Sequence, residues 1–80
     1  MPESPFRNEE QALCVSVAEK LAAARTASGL SQKELAAQSG VSANTIMKVE
    51  CASGNPSLKT IAQLAASMGM VVKIDFVKPE

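Results

Sequence analysis

The apolar pattern of this chain changes its period near the C-terminal end. From Leu13 to Ala24, apolar side chains recur at three- and four-residue steps, as Leu13, Val17, Leu21 and Ala24, with Cys14 and Ala18 beside them. That spacing marks one face of an α-helix. Asn8 precedes it as an N-cap, Gln11 falls at the capping-box position, and Glu9 and Glu10 suit the positive helix end. Arg25 lies near the far end, and Gly29 fits a left-handed position just beyond it. The pattern predicts a long first helix over residues 9–28. "MPESPFR" has two prolines and no periodicity, and reads as a flexible arm over residues 1–7. A helical domain over 8–69 and a tail over 70–80 follow.

Two short segments occupy "LSQKELAAQSGVSANTIMKVE", Leu30 to Glu50. Ser31 and Glu34 form a capping box that opens a second helix. Leu35 and Ala36 are its apolar residues, and Gly40 ends it. Ser42 caps a third helix, Ala43 to Glu50, with Ile46 and Val49 as its inward pair. Ser57 caps a fourth after Pro56. Leu58, Ile61, Leu64, Ala65 and Met68 share its apolar face, and Gly69 stops it.

Helices of about eight residues are marginal alone, because nucleation is costly. They persist when held at an angle against a larger core, here with Leu35, Ala36, Val41, Ile46 and Val49 facing inward. Two readings fit that arrangement. The pair is either an ordinary buried segment or a helix-turn-helix whose second member stands out to touch a ligand.

After Gly69 the period falls to two. In "MVVKIDFVK", Val72, Ile74 and Phe76 alternate with Lys73, Asp75 and Val77, which reads as a strand with one buried face. A lone strand leaves its amides without partners. Its partner is the N-terminal arm, a different protein, or the same strand from a second copy. A two-fold homodimer with an antiparallel ribbon is the economical choice, with Val72, Ile74 and Phe76 as dimerisation residues.

Composition sharpens this picture. The 80 residues include Phe6 and Phe76 but no Trp, Tyr or His. The core is therefore aliphatic, with Met47, Met68 and Met70 as packing residues. So small a chain gains stability from a second subunit. The formal net charge is zero, but residues 1–19 are acidic and residues 20–60 are basic, with Lys20, Arg25, Lys33, Lys48 and Lys59 against Glu34 and Glu50. Binding to a polyanion is then weak and salt-sensitive. Cys14 and Cys51 lack the spacing and the histidines of a zinc site. They read as small buried hydrophobes in a reducing cytosol, with a disulfide as the alternative. Neither a leader nor an apolar run of the ~20 residues that cross a bilayer is visible, so a cytoplasmic protein is expected. Without a histidine base, a metal cluster or a phosphate loop, neither enzyme activity nor a cofactor is expected.

"SQKELA", "GVS", "TI", Glu50 and "NPSLKTIAQLA" with its terminal glycine together resemble the Cro/cI-type helix-turn-helix family, also called the XRE family. The likeness spans about Glu19 to Gly69. It implies an all-α fold, a lambda-repressor-like bundle of four or five helices, that binds operator DNA as a symmetric dimer. By matched position, Gln32 would meet a phosphate or a base edge. Ser42, Ala43, Asn44, Thr45 and Lys48 would line the recognition helix. Asn44 suits adenine, Lys48 suits guanine and Ala43 suits a thymine methyl. Exposed amides on the first turns of the second and fourth helices, with Ser57 at the latter and Lys59 close by, would also bind phosphate. Lys33 is a solvated lysine or a phosphate contact. The loop departs from the family, which often has glycine two residues after the glutamate. Here Ala52, Ser53 and Gly54 stand, and Gly54 is expected to take the unusual backbone angle.

The ending "NPSLKTIAQLAASMGMVVKIDFV" is also similar to small bacterial antitoxins of the HigA and HipB kind. That likeness implies a transcriptional repressor of its own operon that also binds a toxin protein. A protein-interaction module with weak or no DNA binding is the competing reading.

Overall fold

The computed structural model describes residues 6–78, so most of the expected arm over 1–7 lies outside the described residues. Four helices follow one another: α1 (Arg7–Ala27), α2 (Gln32–Ser39), α3 (Ala43–Glu50) and α4 (Leu58–Ser67). α1 starts earlier than its apolar pattern. Asn8 is inside the helix and Phe6 is the N-cap, without a side-chain cap bond. The Glu10 amide donates to the Phe6 carbonyl at 2.9 Å. Extending a formed helix adds one such bond per residue, which outweighs the capping preference of Asn8.

The three expected serine caps are present. Ser31, Ser42 and Ser57 accept from the amides of Glu34, Thr45 and Thr60 at 3.0, 3.1 and 3.1 Å. Glu34 Oε1 accepts in return from the Ser31 amide at 2.9 Å, completing the box. Each cap contributes roughly 1 kcal/mol. Gly40, at φ 78°, makes the left-handed turn out of α2.

Leu35, Ile46 and Leu64 are fully buried and meet Leu21 and Val49 at the centre. Val17, Leu30, Ala36, Val41, Ile61 and Met68 pack around them. α3 packs on α1 and α2, while α4 packs on α2. Two amides stitch α4 to α2. Gln63 donates to the Ser39 carbonyl at 2.7 Å, and Gln38 donates to the Ser67 carbonyl at 3.1 Å.

Several expected core positions are open instead. Leu13 is 66% exposed and Leu58 72%, because each begins its apolar stripe where no described element covers it. Met47, Met70 and Cys51 are exposed too. Both cysteines are free, and Cys14 is partly buried. Residues 70–78 form no strand, and no strand edge for the tail to pair with is present among the described residues. Val72, Ile74 and Phe76 are exposed there, Phe76 almost wholly at 96%.

An ion pair crosses the bundle. Arg25 Nε and Nη2 donate to Glu50 Oε2 and Oε1 at 2.7 and 3.1 Å, and Nη1 donates to the Leu30 carbonyl at 2.8 Å. Gln32 Nε2 adds a bond to Glu50 Oε1 at 2.9 Å. The two charged side chains are 16% and 7% exposed. Burial pushes the Glu50 carboxyl up, but the bonds from Arg25 and Gln32, with the Arg25 charge, outweigh it and hold the carboxyl below its usual value.

The turn after α3 reverses the expectation for Gly54. Ala52 takes the left-handed angle, at φ 56°. The Ala52 amide donates to the Val49 carbonyl and the Ser53 amide to the Lys48 carbonyl, both at 3.0 Å. That is a Schellman turn, whose left-handed position is usually glycine. α1 and α4 end in the same bonds with Gly29 and Gly69 at that position.

Two outcomes follow in urea denaturation. Ala52→Gly should stabilise by about 0.5–1 kcal/mol, the relief of a left-handed alanine less the added freedom of the unfolded chain. Glu50→Ala should destabilise by about 2–4 kcal/mol, because Arg25 is left without its counter-charge. Since the folded carboxyl is depressed, this contribution is complete above the unfolded glutamate range and fades as pH falls through the folded value. Wild type and Glu50→Ala should therefore converge in acid; a constant gap would contradict the assignment.

Candidate nucleic-acid interface

Successive residues of α3 lie 100° apart about its axis. Ile46 and Val49 point to the core, so the opposite side is determined. Ala43, Asn44, Met47 and Lys48 fall on it, within an arc of about 140°. All of them are exposed. The Asn44 and Lys48 side chains have no hydrogen-bond or ion-pair partner among the described residues. Met47 was expected to pack, but the same arithmetic sets it between Ala43 and Asn44. It places an apolar group amid polar ones.

Ser42 and Thr45 are used differently. The Ser42 hydroxyl accepts from the Thr45 amide and donates to Thr45 Oγ1 at 2.8 Å. Thr45 is half-buried on the flank of the helix. Both hydroxyls fasten the start of α3, leaving Ala43, Asn44, Met47 and Lys48 as the outward set. At the other end, Glu50 is gripped by Arg25 and the Schellman turn closes the helix.

The Gln32 amide gives one N–H to Glu50, turned inward, and keeps its second N–H and its oxygen for a ligand. Nothing local in the sequence shows this, because the partners are far apart along the chain. Lys33, the next residue, is exposed.

The helix starts differ as anion sites. At α2 the Glu34 carboxylate already occupies the Ser31 amide. The backbone bond, helped by the Ser31 hydroxyl, holds its pKa below the ordinary value. An arriving phosphate would meet that negative charge. The first turns of α3 and α4 carry no acidic residue. At α4, Ser57 spends its hydroxyl on the cap, and exposed Lys59 follows within the first turn. The amides and dipole of that turn, with the lysine, suit a phosphate better than α2 does.

Residues 21–71 match the model of the helix-turn-helix family HTH_3. The chain is also similar to an uncharacterized HTH-type transcriptional regulator of Haemophilus influenzae. The two are 34% identical over 76 residues, an alignment covering 90% of this chain and 78% of that protein. No solved structure matches the chain significantly.

Proposed function

Because the chain belongs to the helix-turn-helix family, we propose that it is a DNA-binding transcription regulator, a repressor that reads operator DNA with α3. The observation that carries this reading is the outward set on α3. Ile46 and Val49 are buried, so Ala43, Asn44, Met47 and Lys48 face away from the core. Asn44 can pair bidentately with adenine, and Lys48 can reach guanine O6 and N7. Ala43 and Met47 offer apolar surface to a thymine methyl. Lys33 and the start of α4, with Ser57 and Lys59, are the phosphate anchors. Ser42 and Thr45 act by holding the helix start, and Gln32 acts by holding Glu50.

One reading head of this size and charge binds weakly, so the regulator works as a homodimer on two half-sites. The exposed tail supports that. Val72, Ile74 and Phe76 become one face of an antiparallel ribbon when a second copy supplies the missing strand. The finer biological role is that of an antitoxin, which represses its own operon and neutralises a toxin protein. The likeness of the ending to the HigA and HipB kind supports it, and a toxin-like frame beside the gene is the decisive observation. The same reading makes the protein cytoplasmic, a binder rather than an enzyme. No helix among the described residues is long and apolar enough to cross a membrane.

Binding to the DNA upstream of the gene should weaken steeply with salt yet exceed binding to random DNA by ~10³ or more. Within that site, Asn44→Ala or Lys48→Ala should cost about 1–3 kcal/mol at one base position. Equal loss on every sequence would refute direct reading by α3. Deleting residues 71–80 should shift sedimentation from dimer to monomer; an unchanged dimer would refute the ribbon.

A further inference from the structure

Gly29, Gly40 and Gly69 all take the left-handed angle, and Gly54 does not. Backbone freedom therefore does not account for a glycine at position 54. Space does. A β-carbon placed on Gly54 would lie 3.5 Å from Lys48 Cβ and 4.0 Å from the Lys48 carbonyl carbon. Apart from its chain neighbours, it would come within 4 Å of nothing else among the described residues. Any side chain at position 54 would thus grow beside the stem of Lys48, the outward lysine of α3.

The backbone of this turn is fastened on both sides. The Lys48 carbonyl accepts from the Ser53 amide at 3.0 Å and from the Ser53 hydroxyl at 3.2 Å. The Gly54 carbonyl accepts a weak bond from Cys14 Sγ of α1 at 3.9 Å. Gly54 is half-buried between these contacts, whereas the Lys48 side chain is exposed. The turn is therefore a fixed wall, and the lysine beside it is the part that moves.

We propose that Gly54 is a positioning residue for base reading: its bare Cα leaves the Lys48 stem the rotamers that carry the ammonium group out along the reading face of α3. The proposal rests on Lys48 as a base contact and adds what aims it. A lysine head rides on a flexible four-carbon stem, and the first torsion decides where the rest can go. The helix already disfavours one of the three staggered wells at that torsion. A branched side chain at position 54, packed on Lys48 Cβ, crowds the stem at that same bond and narrows the choice again. Lys48 would stay exposed but lose its aim. A misaimed lysine still meets phosphate, so the loss falls on discrimination more than on total affinity. Alanine adds only a β-carbon at ordinary contact distance and leaves the stem free.

The test titrates the full chain with a duplex carrying the upstream site and with its single-base-pair variants. Lys48→Ala identifies the base pair whose preference it erases, a loss of about five- to 150-fold. At that pair Gly54→Val should erase most of the same preference, and Gly54→Ala should retain it. Both should still read the pair that Asn44→Ala identifies. Added to Lys48→Ala, Gly54→Val should change affinity by less than about twofold, because no aim is left to lose. Full preference at the Lys48 pair in Gly54→Val would overturn the proposal. So would an equal loss at every pair that persists in the Lys48→Ala background, which marks a damaged fold. If Gly54→Val loses its helical circular dichroism, Gly54→Met, unbranched at Cβ, decides in the same titration. A Lys48→Ala chain that keeps every base preference would remove base reading by Lys48 and this proposal with it; the other two outcomes overturn the aim and leave the reading standing.

Discussion

The grip of Arg25 on Glu50 is the contact on which the placement of α3 depends. α3 has eight residues and buries only Ile46 and Val49. Apolar packing is non-directional, and two side chains leave such a short rod some freedom to roll about its axis. A bidentate guanidinium–carboxylate pair is directional. It ties the last residue of α3 to α1, and Gln32 ties the same carboxylate to α2. Three helices are thus fixed relative to one another at a single carboxylate. The desolvation of both charges offsets much of their attraction, so the pair contributes more to orientation than to stability. Orientation is what a reading helix needs, since a small roll would carry Asn44 away from a base edge.

How much of this was legible in the sequence depended on how local each cause was. The serine caps act on amides three residues away, so the starts of α2, α3 and α4 could be read directly. Ile46 and Val49 could be read from their spacing. The bond from Gln32 to Glu50 spans 18 positions and that from Arg25 to Glu50 spans 25, and no pattern in the sequence announces either. Leu13 and Leu58 were misplaced for a related reason. Periodicity identifies an apolar face but not whether a neighbour reaches its end. Met47 was misassigned by residue type alone, although the helical angle already placed it outside. At Ala52 the sequence showed only that glycine was missing. The hydrogen bonds of the turn demanded the left-handed angle there, and alanine accepts it at a cost.

Under the proposed reading, the charge distribution would make a single copy a poor regulator. Most of the basic residues that face outward near the helix pair are isolated lysines, and Arg25 is consumed by Glu50. Few phosphate contacts per copy mean a shallow non-specific affinity. Under that reading, discrimination falls on the few outward groups of α3, each of limited value. Joining two copies, as proposed, would make the second half-site contact intramolecular and raise affinity without any new contact type. A chain that is nearly neutral overall can therefore be selective while binding random DNA weakly.

α1 links the two halves of this scheme mechanically. It is 21 residues long, a rod of about 31 Å at 1.5 Å per residue. Near its end Arg25 holds α3; along its first half Leu13 and Val17 form one wall of an apolar groove. If two copies join through their tails, as proposed, the separation and tilt of the two α3 helices are set by how the tails lie. A duplex presents successive major-groove faces about 34–36 Å apart. A dimer with a shifted tail would present both reading heads intact but at the wrong spacing. Whatever binds the tails would then act on operator affinity without touching α3, by changing a distance rather than a contact.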